Sequence, residues 1–98
     1  MTKITALEFV TSVTEFVDEQ AEICRAMGEL SPRELKIKFD KQRENILENK
    51  KMFLEIVGLI ALMGLTDEEK WQFMRQCRAD LVDATVKGVT PLLKEYSK

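Results

Sequence analysis

Residues 62–71 read LMGLTDEEKW: a glycine suited to stopping a helix, then a threonine with a glutamate three places on. Residues 26–35, AMGELSPREL, repeat the device with Gly28, Ser31 and Glu34. Glycine lacks the Cβ that penalises the left-handed residue closing many helices, so Gly28 and Gly64 are the expected stops. A serine or threonine N-cap accepts from the N–H three residues on, and a glutamate there reaches back to the cap's own N–H. Ser31–Glu34, Thr66–Glu69 and, near the start of the chain, Thr5–Glu8 all have this spacing. Pro32 suits the first helical position, where its missing N–H costs nothing. Ile4 with Phe9, and Leu30 with Leu35, are spaced as hydrophobic staples.

Three helix starts imply three main helices, and the apolar spacing agrees. Across 5–27, Ala6, Val10, Val13, Val17, Cys24 and Met27 follow alternating steps of four and three, with Gln20 filling one slot and Phe9, Phe16 and Ile23 beside them. From Pro32 to Gly64 one register runs through Leu35, Phe39, Ile46, Phe53, Ile56, Ile60 and Met63. Unbroken, that helix is about 48 Å long; a break near Asn49 is the alternative and gives four helices. The third helix runs from Asp67 to about Lys87, with Met74, Cys77, Leu81 and Ala84 in register. Gly88 then offers a stop and Thr90-Pro91 a new start, so a short C-terminal helix is expected, with a kinked continuation as the alternative. Short turns force neighbouring helices to run oppositely. The expected fold is all-α, a single-domain antiparallel bundle. Its expected core is Val10, Val13, Phe16, Val17, Cys24, Phe39, Ile46, Phe53, Ile56, Ile60, Met74, Cys77 and Leu81.

Composition narrows the function classes. With 15 basic and 17 acidic residues the net charge is −2, which gives no general attraction to nucleic acid or anionic lipid. The longest apolar run, MFLEIVGLIALMGL, is interrupted by Glu55 and is short of the ~20 residues a membrane helix needs, so no membrane role is expected. The chain has no histidine, which removes the commonest general base and metal ligand. Cys24 and Cys77 both fall in core register, where a thiol is inert. Neither a catalytic residue, a metal nor a cofactor is expected, and a reducing, cytoplasmic location is the default.

Three surface features remain. Glu15, Asp18, Glu19 and Glu22 lie opposite the apolar stripe of the first helix, as a solvated face or a docking face for a basic partner. Arg33, Lys36, Lys38, Lys41 and Arg43 crowd the start of the second helix and could track phosphates, although Glu34 and Asp40 interleave them. Residues 31–51 hold 7 basic and 4 acidic residues against 2 and 6 in residues 1–30, so packing of opposite charges within the chain is the simpler explanation. The most informative feature is apolar surplus. Leu47, Leu54 and Ala61 form a second stripe on the second helix, with Val57 and Leu62 near it, and Val82 and Val86 form a seam on the third. A helix apolar all round is normally buried all round, and so small a chain encloses about one element. The expectation is therefore a non-enzymatic adaptor, inhibitor or assembly subunit that binds protein and self-associates through Leu47, Leu54, Val57, Ala61, Leu62, Val82 and Val86. The alternative is a nucleic-acid or nucleotide binder using the basic start of the second helix.

Overall fold

A computed structural model describes residues 5–97. The chain forms three helices, α1 (Ala6–Leu30), α2 (Arg33–Leu62) and α3 (Asp67–Tyr96), and no strand among the described residues. Ile4, the expected staple for Phe9, lies outside them.

Two of the three predicted capping boxes form. Thr5 Oγ1 accepts from Glu8 N at 3.1 Å while Glu8 Oε2 accepts from Thr5 N at 3.1 Å. Thr66 and Glu69 repeat the exchange at 3.2 and 3.3 Å. The Ser31 box does not form. Its hydroxyl instead donates to Met27 O at 2.5 Å, engaging a free carbonyl at the end of α1. Pro32 becomes the N-cap of α2 with no side-chain cap, and Leu30 is left exposed rather than stapled.

Two of the three glycine stops, Gly28 and Gly88, are corrected as well, whereas α2 does end at Leu62, just before Gly64. No described residue has positive φ. Gly28 is buried inside α1, where an added Cβ would lie 3.4 Å from Phe39 Cβ. A Cβ there would make only ordinary contact with α2, and α1 runs on through Gly28 to Leu30. Gly88 also falls inside α3, with the Gln42 side-chain amide of α2 resting where its Cβ would be. The expected short C-terminal helix does not exist; α3 continues through Gly88 and Pro91. An interior proline and glycine cost about 3 and 1 kcal/mol of helix propensity. Buried Val89, with Leu92 and Leu93 packed on the core beyond it, holds the helix across them.

α2 is unbroken at Asn49, 30 residues that rise about 45 Å, matching the 50 Å long axis of the molecule. Contacts climb α2 as they descend α1: Gly28 lies by Phe39, and Asp18 accepts from Lys50 at 2.7 Å. α3 returns along α2 in the same manner, with Lys70 Nζ on Ala61 O, Gln42 against Gly88, and Lys38 on Glu95. Phe9 and Trp71 meet edge-to-face, with centroids 5.3 Å apart, and join α1 to α3.

The buried core is Phe9, Val13, Val17, Ala21, Cys24, Phe39, Ile46, Phe53, Ile60, Met74, Leu81 and Val89. Thr85 is buried among them, its hydroxyl satisfied by Leu81 O at 2.8 Å. Val10, Phe16 and Cys77 of the expected core are half-buried, and Ile56 is exposed. An α-helix drifts about 20° per heptad from a strict seven-residue repeat. That drift moves every stripe of α2 alike; the Gln42–Asn49–Ile56–Met63 stripe differs because it lies about 60° round the helix from the buried Phe39–Ile60 series, at the α3 edge of α2, with no fourth helix to cover it.

Phe39→Ala or Ile46→Ala, each at a fully buried position, is expected to cost roughly 3–5 kcal/mol in urea denaturation, and Ile56→Ala less than about 1. Gly58 sits in mid-helix with open space where a Cβ would go, so Gly58→Ala should stabilise the fold by about 0.5–1 kcal/mol. A loss at Gly58 would mean that something packs against it.

Candidate interaction surface

The predicted site residues do not form one surface. Leu47 and Leu54 line a shallow concavity on α2 with Lys50, Lys51 and Glu55. Ala61 and Leu62 continue the exposed flank beyond them, Leu62 at 86% exposure. Val57 turns inward and packs on the core. Lys50, three residues from Leu47 and four from Leu54, reaches Asp18, which fixes this flank as the one bordering α1. Val82 stands three turns along α3 from Trp71, on the side that meets α1 through Phe9. Val82 is half-buried and Val86 exposed. α1 therefore lies between the α2 group and the α3 pair.

The predicted docking residues Glu15, Asp18, Glu19 and Glu22 are all exposed, but two of the four are engaged within the chain. Asp18 holds Lys50, and Glu22 pairs with Arg25, which also holds Glu29 at 2.7 Å. The Arg25 hydrogen bond keeps the Glu22 carboxyl below its ordinary range, helped by the Arg25 charge and, more distantly, by Arg43. Glu15 and Glu19 make no ion pair among the described residues.

The basic cluster is largely consumed by intrachain contacts. Lys36 pairs with Asp40 at 2.7 Å and Lys38 with Glu95 at 2.8 Å. Arg43 is half-buried, its charge is felt at Glu22 and Cys24 of α1, and its Nε is enclosed without a hydrogen-bond partner. Only Arg33 and Lys41 are exposed and free of an ion pair among the described residues. Lys36 and Lys38 are exposed too, so four of the five cations face outward, two of them already paired to carboxylates.

Sequence periodicity missed the opposite side of the molecule. Asn49, Met52, Phe53, Ile56, Cys77, Asp80, Leu81 and Ala84 line a groove between α2 and α3 on the side away from α1. Leu59 and Met63 extend it, seven and eleven residues beyond Met52, and Phe73, four before Cys77, extends it on α3. All three are exposed. The signal was present as the Met52–Leu59 and Ile56–Met63 pairs, each seven residues apart, but it adjoins the core stripe and reads as part of it.

Both cysteine thiols are held toward the protonated form. Burial pushes the Cys24 thiol above its ordinary value, partly offset by Arg43. Cys77 is raised by burial and then by the Asp80 charge. Thiolate is the reactive form, and both sites disfavour it. Among the described residues no group of three or more His, Cys, Asp or Glu could hold a metal, and no helix is long and apolar enough to cross a membrane. No family model matches the chain, and no curated protein or solved structure is detectably similar to it.

The Cys24 shift carries a pH dependence. The folded state holds this proton more tightly than the unfolded chain does, so its contribution is level below the ordinary thiol value of 9.0 and is lost as pH rises beyond it. Urea denaturation from pH 7 to 10 should show wild type losing stability above about pH 9 more steeply than Cys24→Ala. Identical slopes would place the alkaline loss elsewhere.

Proposed function

We propose that this antiparallel three-helix bundle is a non-enzymatic protein-binding module, an adaptor, inhibitor or assembly subunit, that self-associates through the flank of α2. The observation that carries this reading is the apolar surface of α2. Leu47, Leu54 and Leu62 are exposed on one flank, and Met52, Ile56, Leu59 and Met63 on the other. Scattered apolar residues are normal on a surface, whereas two apolar flanks on one helix call for cover.

The amount of surface supports the same reading. The chain exposes 7041 Å², against about 5,700 Å² for a typical monomer of 11.3 kDa. The excess is roughly 1,300 Å², and a standard interface takes about 800 Å² from each partner. Charge also fits a second copy on the Leu47–Leu54 flank. A two-fold axis near Leu54, with α2 crossing its partner in opposite direction, sets Lys51 of each copy beside Glu55 of the other. Leu47, Leu54, Ala61 and Leu62 supply the contact, with Val57 packed behind them. Val82 and Val86, beyond α1, lie outside that interface. Glu15 and Glu19, with Asp18 and Glu22 beside them, steer a basic partner toward the assembly. The two unpaired cysteines fit a reducing, cytoplasmic setting.

Light scattering on the purified chain at micromolar concentration tests the assembly. A dimer is expected, and Leu54→Asp should convert it to monomer with unchanged helical circular dichroism. A monomeric wild type at high concentration rejects self-association through this flank.

A further inference from the structure

The groove between α2 and α3 differs from the Leu47–Leu54 flank in its charge, and the difference selects its occupant. Met52, Ile56, Leu59, Met63, Phe73 and Cys77 give it an apolar floor and walls. Exposed Glu48, one turn before Met52, borders it on α2; on α3 exposed Asp80 lines it, one carboxylate oxygen accepting from Gln76 Nε2 at 2.9 Å, and Glu69, which also caps α3 at Thr66, stands one turn before Phe73. The basic residues of the same stretch are all directed elsewhere. Lys50 holds Asp18, Lys51 sits on the Leu47–Leu54 flank, and Lys70 caps Ala61 O. Arg75 stacks over Trp71 at 5.8 Å, and Arg78 is seven residues along that same α1-facing stripe.

From these observations we infer that the groove binds an amphipathic helix of another protein, one whose Leu-, Phe- or Met-bearing stripe is flanked by Lys and Arg. Met52 to Met63 spans about 16 Å, three turns of helix, which sets the length of the contact. Methionines at both ends let the groove reshape around differing side chains. A helix laid there completes a four-helix arrangement and covers the Ile56–Met63 stripe that α3 leaves open. A second copy of this chain fits poorly, because a two-fold pairing of groove on groove would bring acidic rims together with no base between them. The inference rests on the reading of the chain as a protein binder but uses a different surface from its self-association.

The probe is a fluorescein-labelled helical peptide of about fourteen residues, four turns, with leucines along one stripe, lysines flanking it and alanines elsewhere. Its counterpart carries glutamates in place of the lysines. Anisotropy titrations should show the lysine peptide binding at least about tenfold more tightly. The double variant Glu48→Lys/Asp80→Lys, at two exposed positions that cap no helix, should reverse that order. Bound lysine peptide should also slow alkylation of Cys77, and Leu54→Asp should leave its affinity unchanged. Equal binding of the two peptides, unprotected Cys77, or loss of binding in Leu54→Asp overturns the inference. If Ile56→Lys dissociates the chain's own dimer, the groove belongs to a second copy and the inference also falls. A monomeric wild type that still binds the lysine peptide removes only the dimer; a dimer that ignores the peptide removes only the groove.

Discussion

Phe39, Ile46, Phe53 and Ile60, every seventh residue of α2, are all buried, and the molecule is organised around that seam. It is where α1 and α3 are both held, each packing on α2 more than on the other. With only two neighbours, α2 can bury one stripe and must leave the rest of its circumference to solvent or to a partner. Both proposed surfaces follow from this constraint. One borders α1, the other borders α3, and the seam lies between them.

The helices were legible because their starts are chemical devices. Thr5–Glu8 and Thr66–Glu69 announce themselves by residue type and spacing, and both close as reciprocal hydrogen bonds. Four of the α2 positions expected inside are inside, since a large apolar residue at every seventh place leaves little ambiguity. Two glycines were misread because a glycine can stand inside a helix as well as at its end. Gly28 lies within α1 in ordinary contact with Phe39, Gly88 lies within α3 against the Gln42 amide, and nothing local in AMGELSPREL or KGVTPLLKEY announces either place. Ser31 likewise had two acceptable bonds. Completing α1 through Met27 O excluded capping α2.

The candidate surfaces were partly legible. The Leu47–Leu54 stripe was visible because it stands well away from the core register. The Met52–Met63 groove was hidden because it adjoins that register; whether such residues are buried depends on how many helices surround α2. The intrachain pairing of the basic cluster was hidden for a related reason. Lys38 finds Glu95 only because α3 continues past Pro91, and Arg43 acts on Glu22 and Cys24 only because α1 packs along α2. Each is a tertiary fact that charge counting along the chain does not contain.

The edge-to-face meeting of Phe9 and Trp71 has a kinetic consequence. The two turns are short, so α1 on α2 and α2 on α3 form between sequence neighbours, and such topologies fold in microseconds to milliseconds. Docking α1 against α3 joins segments from opposite ends of the chain and bears the largest loop-closure entropy. Trp71 is the only tryptophan, so its emission follows that last closure while circular dichroism follows the helices. The two signals separate if the helix pairs form before the bundle closes, and coincide if the chain assembles in one step.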